Sequence, residues 1–197
     1  MDYKKIFLWP GTQVFLISLL AFLFIPNAVN LLSFSGDLFL QGDVWRFITF
    51  PFTHLNLQHL FENLVALGVT SLLAYEVGIR GKQFTYVFLG ASLLLALTTF
   101  LFMPLIVIAG ASAGIFALLG SITRKGTEFI SQWLFVPLIS SSVFVKLFIS
   151  FFSMSWREAL YPQFLLHFLG FIYGIIIFSV IIYYRSNNVK KILQVSN

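Results

Sequence analysis

No Asp, Glu, Lys or Arg interrupts the chain between Lys5 and Asp37, or between Lys82 and Arg124. Runs of this kind suit one solvent above all others. A helix that crosses the roughly 30 Å hydrocarbon core of a bilayer needs about 20 apolar residues. Within lipid every backbone N–H and C=O must pair inside its own segment, which selects helices. Of the 197 residues, 59% are hydrophobic and only 10% charged, whereas a soluble domain is about a quarter charged. A single core could not hide so much apolar surface. The expected class is therefore an all-α, polytopic membrane protein, folded as one domain over residues 1–197. Cysteine is absent, which removes disulfides, thiolate metal sites and a cysteine nucleophile. The net charge of +5 is scattered, with no basic run that would suit a nucleic acid.

Hydropathy marks six spans, at residues 14–32, 57–75, 84–103, 112–123, 130–151 and 162–184. The fourth is short and follows Pro104 and a run of small residues. Irregular backbone at membrane depth is tolerable only when protein surrounds it, so this segment should lie at the centre of the bundle. Lys4, Lys5, Arg80, Lys82, Arg124, Lys125, Arg185, Lys190 and Lys191 all fall on one side. The positive-inside rule makes that side cytoplasmic and puts both termini there. Arg46, Arg157, Asp37, Asp43 and Glu158 fall on the other, and Lys146 can snorkel outward late in the fifth span. The first apolar run is longer than a signal-peptide core, so an uncleaved span is expected, in a bacterial plasma membrane. Residues 33–53 read as a loop lying partly in the headgroup region.

Polar groups inside a membrane are expensive and point to function. His54, His59 and His167 are the only histidines. His59 and Asn63 stand at i and i+4 and share a helix face. His54, five residues from His59, should point away from it. Counting about 1.5 Å per residue puts Asn63, Ser112 and His167 at similar depths below the outer surface. Acyl transfer needs such a set. A serine hydroxyl needs an adjacent base, and His167 is deep enough to serve. The oxyanion needs aimed donors; the Ser112 amide at a helix amino end, the His59 ring and the Asn63 amide are candidates. No carboxylate is placed to orient His167, so a hydrolase here would use a Ser–His dyad. No H-E-x-x-H or comparable metal pattern is present, and neither a metal nor a cofactor is expected.

Plainer readings stand beside this one. Gly110-x-x-x-Gly114 and Gly170-x-x-x-Gly174 are small-xxx-small patterns of the kind that bring helices together. Taken alone, Gly110-Ala-Ser-Ala-Gly114 is more simply a packing motif, and it lacks the strand–turn–helix setting of a nucleophile elbow. The two readings are compatible, because Gly170 and Gly174 would let the sixth span approach the fourth.

Several separated motifs, in order, resemble those of the rhomboid intramembrane serine proteases. They are Trp45-Arg46, His54-x4-His59-x3-Asn63, Glu76 with Gly78 and Gly81, Gly110-x-Ser112, and His167-x2-Gly170-x3-Gly174. The resemblance spans about residues 14–184. It implies a six-helix bundle with Ser112 as nucleophile, His167 as base, and His59, Asn63 and the Ser112 amide around the oxyanion. Gly110 would bend the loop before the fourth span, residues 152–161 would cap the site, and transmembrane protein substrates would enter from the bilayer between spans two and five. Phe116 stands where many relatives carry tyrosine, and Ala113 where glycine is frequent. The alternative within the same resemblance is an inactive relative that binds transmembrane helices as a chaperone or scaffold.

Overall fold

The computed structural model describes residues 9–129, 131, 133 and 160–195. Most of the expected fifth span, Lys146, Arg157, Glu158, most of the capping loop, and Lys4 and Lys5 lie outside the described residues. The described secondary structure is helical apart from one antiparallel bridge between Phe34 and Ile108.

Helix α1 runs Pro10–Phe24. Proline is favoured at its first position, where a missing N–H is harmless. A continuous first span over residues 14–32 is not what forms. Pro26 removes a backbone donor and holds Ile25 extended, at φ −101° and ψ 106°. Asn27 then turns the chain with φ 55°, and a new short helix, α2, covers Ala28–Leu32. The interfacial segment that follows is built from α3 (Gly36–Leu40), α4 (Arg46–Thr49) and a 3-10 turn (Phe50–Phe52). It presents Leu40, Val44 and Ile48 outward and buries Phe34 and Phe50.

Helix α5 covers Leu57–Glu76, α6 Gly81–Phe102, α7 Ser112–Gly126 and α8 Leu160–Val195. The described parts of α5, α6 and α8 include the three helices long and apolar enough to cross a membrane. Their outer faces carry Phe61, Val65, Leu72, Leu101 and Phe102 in the open, as lipid contact requires. Helix α8 continues well past residue 184.

Helix α7 lies at the centre, packed by α5, α6 and α8, and is buried on most sides, from Ala113 and Ile115 to Ile122 and Thr123. Its 15 residues span only about 22 Å. One end of it must therefore stop short of the bilayer surface.

Small residues set the α7–α8 contact. A Cβ on Gly170 would stand 2.9 Å from the Ala113 carbonyl oxygen, and one on Gly174 would overlap the Ala117 carbonyl. Gly120 meets the Phe171 carbonyl in the same way. Ser121 Oγ then donates across the seam to the Gly174 carbonyl at 3.1 Å and within its own helix to Ala117 at 3.0 Å. The Gly170/Gly174 reading holds; Gly120 and Ser121 extend it. Gly114 instead faces the Phe88 ring of α6. Because the obstacle at Gly174 is backbone, it cannot swing aside. Gly174→Ala is expected to destabilise the bundle by about 1–3 kcal/mol, read as a lowered unfolding midpoint in detergent micelles. An unchanged midpoint would mean that the two helices do not meet so closely.

Candidate active site

Ser112 is the first residue of α7. Its amide and the next two lie where helix N–H groups have no carbonyl of their own helix to bond, at the positive end of the helix dipole. The approach to it is tightly held. Phe34 N–H donates to the Ile108 carbonyl at 3.0 Å, Ile108 N–H returns to Phe34 at 2.8 Å, and Gly110 N–H donates to the Phe50 carbonyl at 2.9 Å. These bonds stitch residues 108–110 to the interfacial segment. Gly110 takes φ +103°, a conformation that side-chain-bearing residues rarely adopt.

That segment is in turn fixed by Trp45 and Arg46. The Trp45 indole N–H donates to the Leu31 carbonyl at 3.0 Å. Arg46, 5% exposed, pairs through Nε with Asp43 Oδ2 at 2.7 Å and donates through an Nη to the Ser33 carbonyl at 3.1 Å. Ser33 precedes Phe34, and Phe34 holds Ile108. The Trp45-Arg46 pair thus acts at a distance on the backbone that leads to Ser112.

His59 lies in the first turn of α5, whose amino end is capped by Asn56: its Oδ1 accepts the His59 N–H at 2.8 Å. The imidazole Nδ1 accepts from the Leu55 N–H at 3.4 Å. In the neutral ring the proton then belongs on Nε2. Nε2 lies 3.0 Å from where a Cβ of Gly110 would stand, so this edge of the ring lies against the turn before Ser112. Asn63, one turn on and 6% exposed, donates through Nδ2 to the His59 carbonyl at 2.8 Å. Glu62 lies beside Gln58, which donates to it at 3.1 Å on the exposed side of α5.

His54 corrects the expectation drawn from spacing. It does not face away: its ring centroid is 5.3 Å from that of His59, and the residue is 2% exposed. The five-residue count assumed a continuous helix, whereas α5 begins only at Leu57, and the preceding chain folds back over its end. Burial pushes the His54 pKa down from 6.5 to about 4, His59 adds to the shift, and a backbone hydrogen bond at Phe52 opposes it. The folded state therefore holds His54 neutral. The unfolded chain binds the extra proton first as pH falls, so the stability His54 contributes is complete above 6.5 and is lost on acidification toward 4. The loss would reach about 3 kcal/mol. Unfolding midpoints followed from pH 7.5 to 4.5 should fall more steeply for wild type than for His54→Gln; parallel curves would refute this.

His167 lies in the described part of α8, and its ring stacks on Phe116 of α7 at 4.3 Å between centroids and 9° between planes. Phe116 is one turn below Ser112, so the phenyl ring that replaces the expected tyrosine still forms a seat for the imidazole. Ser112, His167, His59 and Gly110 line one cavity of about 380 Å³, together with Phe50 and Leu166. Asn63 does not line it and stands behind His59. Among the described residues no carboxylate lines it. The cavity thus gathers the Ser112 hydroxyl, the imidazoles of His167 and His59, and the amino end of α7.

A bundle of long apolar helices with a serine at the amino end of its central helix and a histidine of the neighbouring helix lining the same cavity is the class that fold and site define. The family model for the rhomboid domain matches residues 41–184, and the chain belongs to the rhomboid family of integral membrane proteins. It is 32% identical over 83 residues to Rhomboid-related protein 2 of Mus musculus, a match that covers 41% of this chain and 26% of that protein's length. The aligned part is therefore about a quarter of the mouse relative.

Proposed function

We propose that this chain is an intramembrane serine endopeptidase that cleaves transmembrane protein substrates with a Ser112–His167 dyad and no cofactor. The observation that carries the reading is the shared cavity: Ser112 and His167 line it from adjacent helices, and His59 and Gly110 line it with them. Ser112 Oγ attacks the scissile carbonyl carbon as the His167 imidazole takes its proton. The tetrahedral oxyanion is met by the Ser112 amide and His59 Nε2–H, donors of the kind that lower such barriers most. Asn63 steadies the His59 backbone by donating to its carbonyl. The imidazolium then passes its proton to the departing amine. Water, deprotonated by the same imidazole, hydrolyses the acyl-enzyme.

The basic residues on one side of the bundle orient it with that side, and both termini, in the cytoplasm. The site then opens toward the opposite surface. Capping by the loop before α8, and lateral access between the second and fifth spans, complete the proposed route for substrate.

A helical substrate presents no free carbonyl, because its backbone is already hydrogen-bonded. Cleavage should therefore favour segments with Gly or Pro near the scissile bond, preferably after a small residue. The test compares two reconstituted model substrates, one with a Gly-Pro break and one of unbroken poly-Leu. Faster cleavage of the broken helix is expected; equal rates would sink the proposal's account of substrate choice.

A further inference from the structure

The end of the bundle opposite Ser112 holds a second cavity, of about 440 Å³, between the carboxyl end of α7, the amino end of α6 and the lower part of α8. Lys125 and Arg185 line its mouth, Glu128 lies beside them, and Phe178 and Ile182 form apolar walls. We propose that this cavity binds the phosphate of an anionic phospholipid, with the acyl chains lying along α8.

Charge supports the phosphate. Lys125 pairs with Glu128, which uses one of its three ammonium hydrogens and leaves two. Among the described residues no carboxylate pairs with Arg185. The lining carries two cations, Lys125 and Arg185, against one carboxylate, Glu128, so the local field favours an anion even with Glu128 present. Basic pockets between transmembrane helices are suited to lipid headgroups.

The walls favour a lipid over a free ion. Phe178, Ile182 and Arg185 stand at i, i+4 and i+7 on one face of α8, and Phe178, 1% exposed, is covered within the cavity wall. An acyl chain below a phosphate at Arg185 then meets Ile182 on the same face of α8. Tyr183 and Tyr184, 64% and 65% exposed, stand just before Arg185, where amphipathic rings sit at the level of headgroups. The site also joins the two helices whose far ends carry Ser112 and His167.

Native mass spectrometry of the full chain, released from nonionic micelles, tests this with short-chain phosphatidylglycerol and phosphatidylcholine of equal chain length. Phosphatidylglycerol should be retained about fivefold better for each basic contact it makes. Arg185→Gln should lower its retention about fivefold, and Glu128→Gln should raise it. Arg185 is exposed, so its replacement leaves the fold intact; a monodisperse elution profile checks this. Equimolar inorganic phosphate should not displace the lipid. Equal retention of the two lipids, indifference to Arg185→Gln, or displacement by inorganic phosphate at equal concentration would each overturn the proposal.

Discussion

His167→Ala should slow cleavage of a membrane-embedded substrate by about 10²–10⁴-fold, the range that a positioned acid–base group supplies. The serine hydroxyl does not ionise at neutral pH without a proton acceptor, and among the described residues no other imidazole shares the seat on Phe116. Deleting the ring also removes packing, so the loss must be separated from misfolding. His167→Gln keeps most of the volume and should be as inactive as alanine, with an unfolding midpoint near that of wild type. Phe116→Ala should fall between wild type and the His167 variants, because the imidazole remains but loses the ring stacked on it at 4.3 Å. Activity within tenfold of wild type in His167→Gln would remove His167 from the mechanism.

Gly110→Ala should cost about 10²–10³-fold in rate, comparable to deleting one oxyanion donor. Two effects combine there. The backbone at φ +103° disfavours any Cβ, a strain of about 1–3 kcal/mol. The new methyl would also stand 2.8 Å from His59 Cε1 and 3.0 Å from Nε2, which forces the imidazole out of line or shifts residues 108–112. Gly42 separates the two effects within the same chain. It has the same φ of +103°, yet a Cβ there meets nothing within 4 Å. Gly42→Ala should therefore lower stability with little change in rate, whereas Gly110→Ala should lower both. Equal rates for the two variants would show that the contact with His59 does not matter to catalysis.

The sequence is a good guide where a property depends on a few neighbours along one helix. Helices α5, α6 and α7 begin and end within a few residues of the apolar runs, since charges, Gly and a capping Asn56 bound them. His59 and Asn63 share a face because i and i+4 always do on a helix. The readings that failed depend on where a helix stops. Hydropathy is smooth across Ile25-Pro26-Asn27, so it hides the break that Pro26 imposes. His54 was placed by helical arithmetic although Asn56, a cap residue between it and His59, already signalled that no helix joins them. Other features have no local signal. The Phe34–Ile108 bridge and the Arg46 bond to Ser33 connect residues far apart in sequence, so Trp45-Arg46 is legible as a motif and silent as to what it holds. Gly120 sits outside the Gly-x-x-x-Gly patterns, and only the crossing of α7 and α8 gives it and Ser121 their contact across the seam.

The central claim is that Ser112 is an activated nucleophile and not a small residue between two glycines. Fluorophosphonate labelling of the purified protein in bilayers tests it most directly, because the probe requires an activated serine and no knowledge of the substrate. Wild type should form a covalent adduct that mass spectrometry maps to Ser112. Ser112→Ala should form none, and His167→Gln should label at a rate reduced by about 10²–10⁴-fold. A folded wild type that does not label, or labelling that survives in Ser112→Ala, would contradict the account.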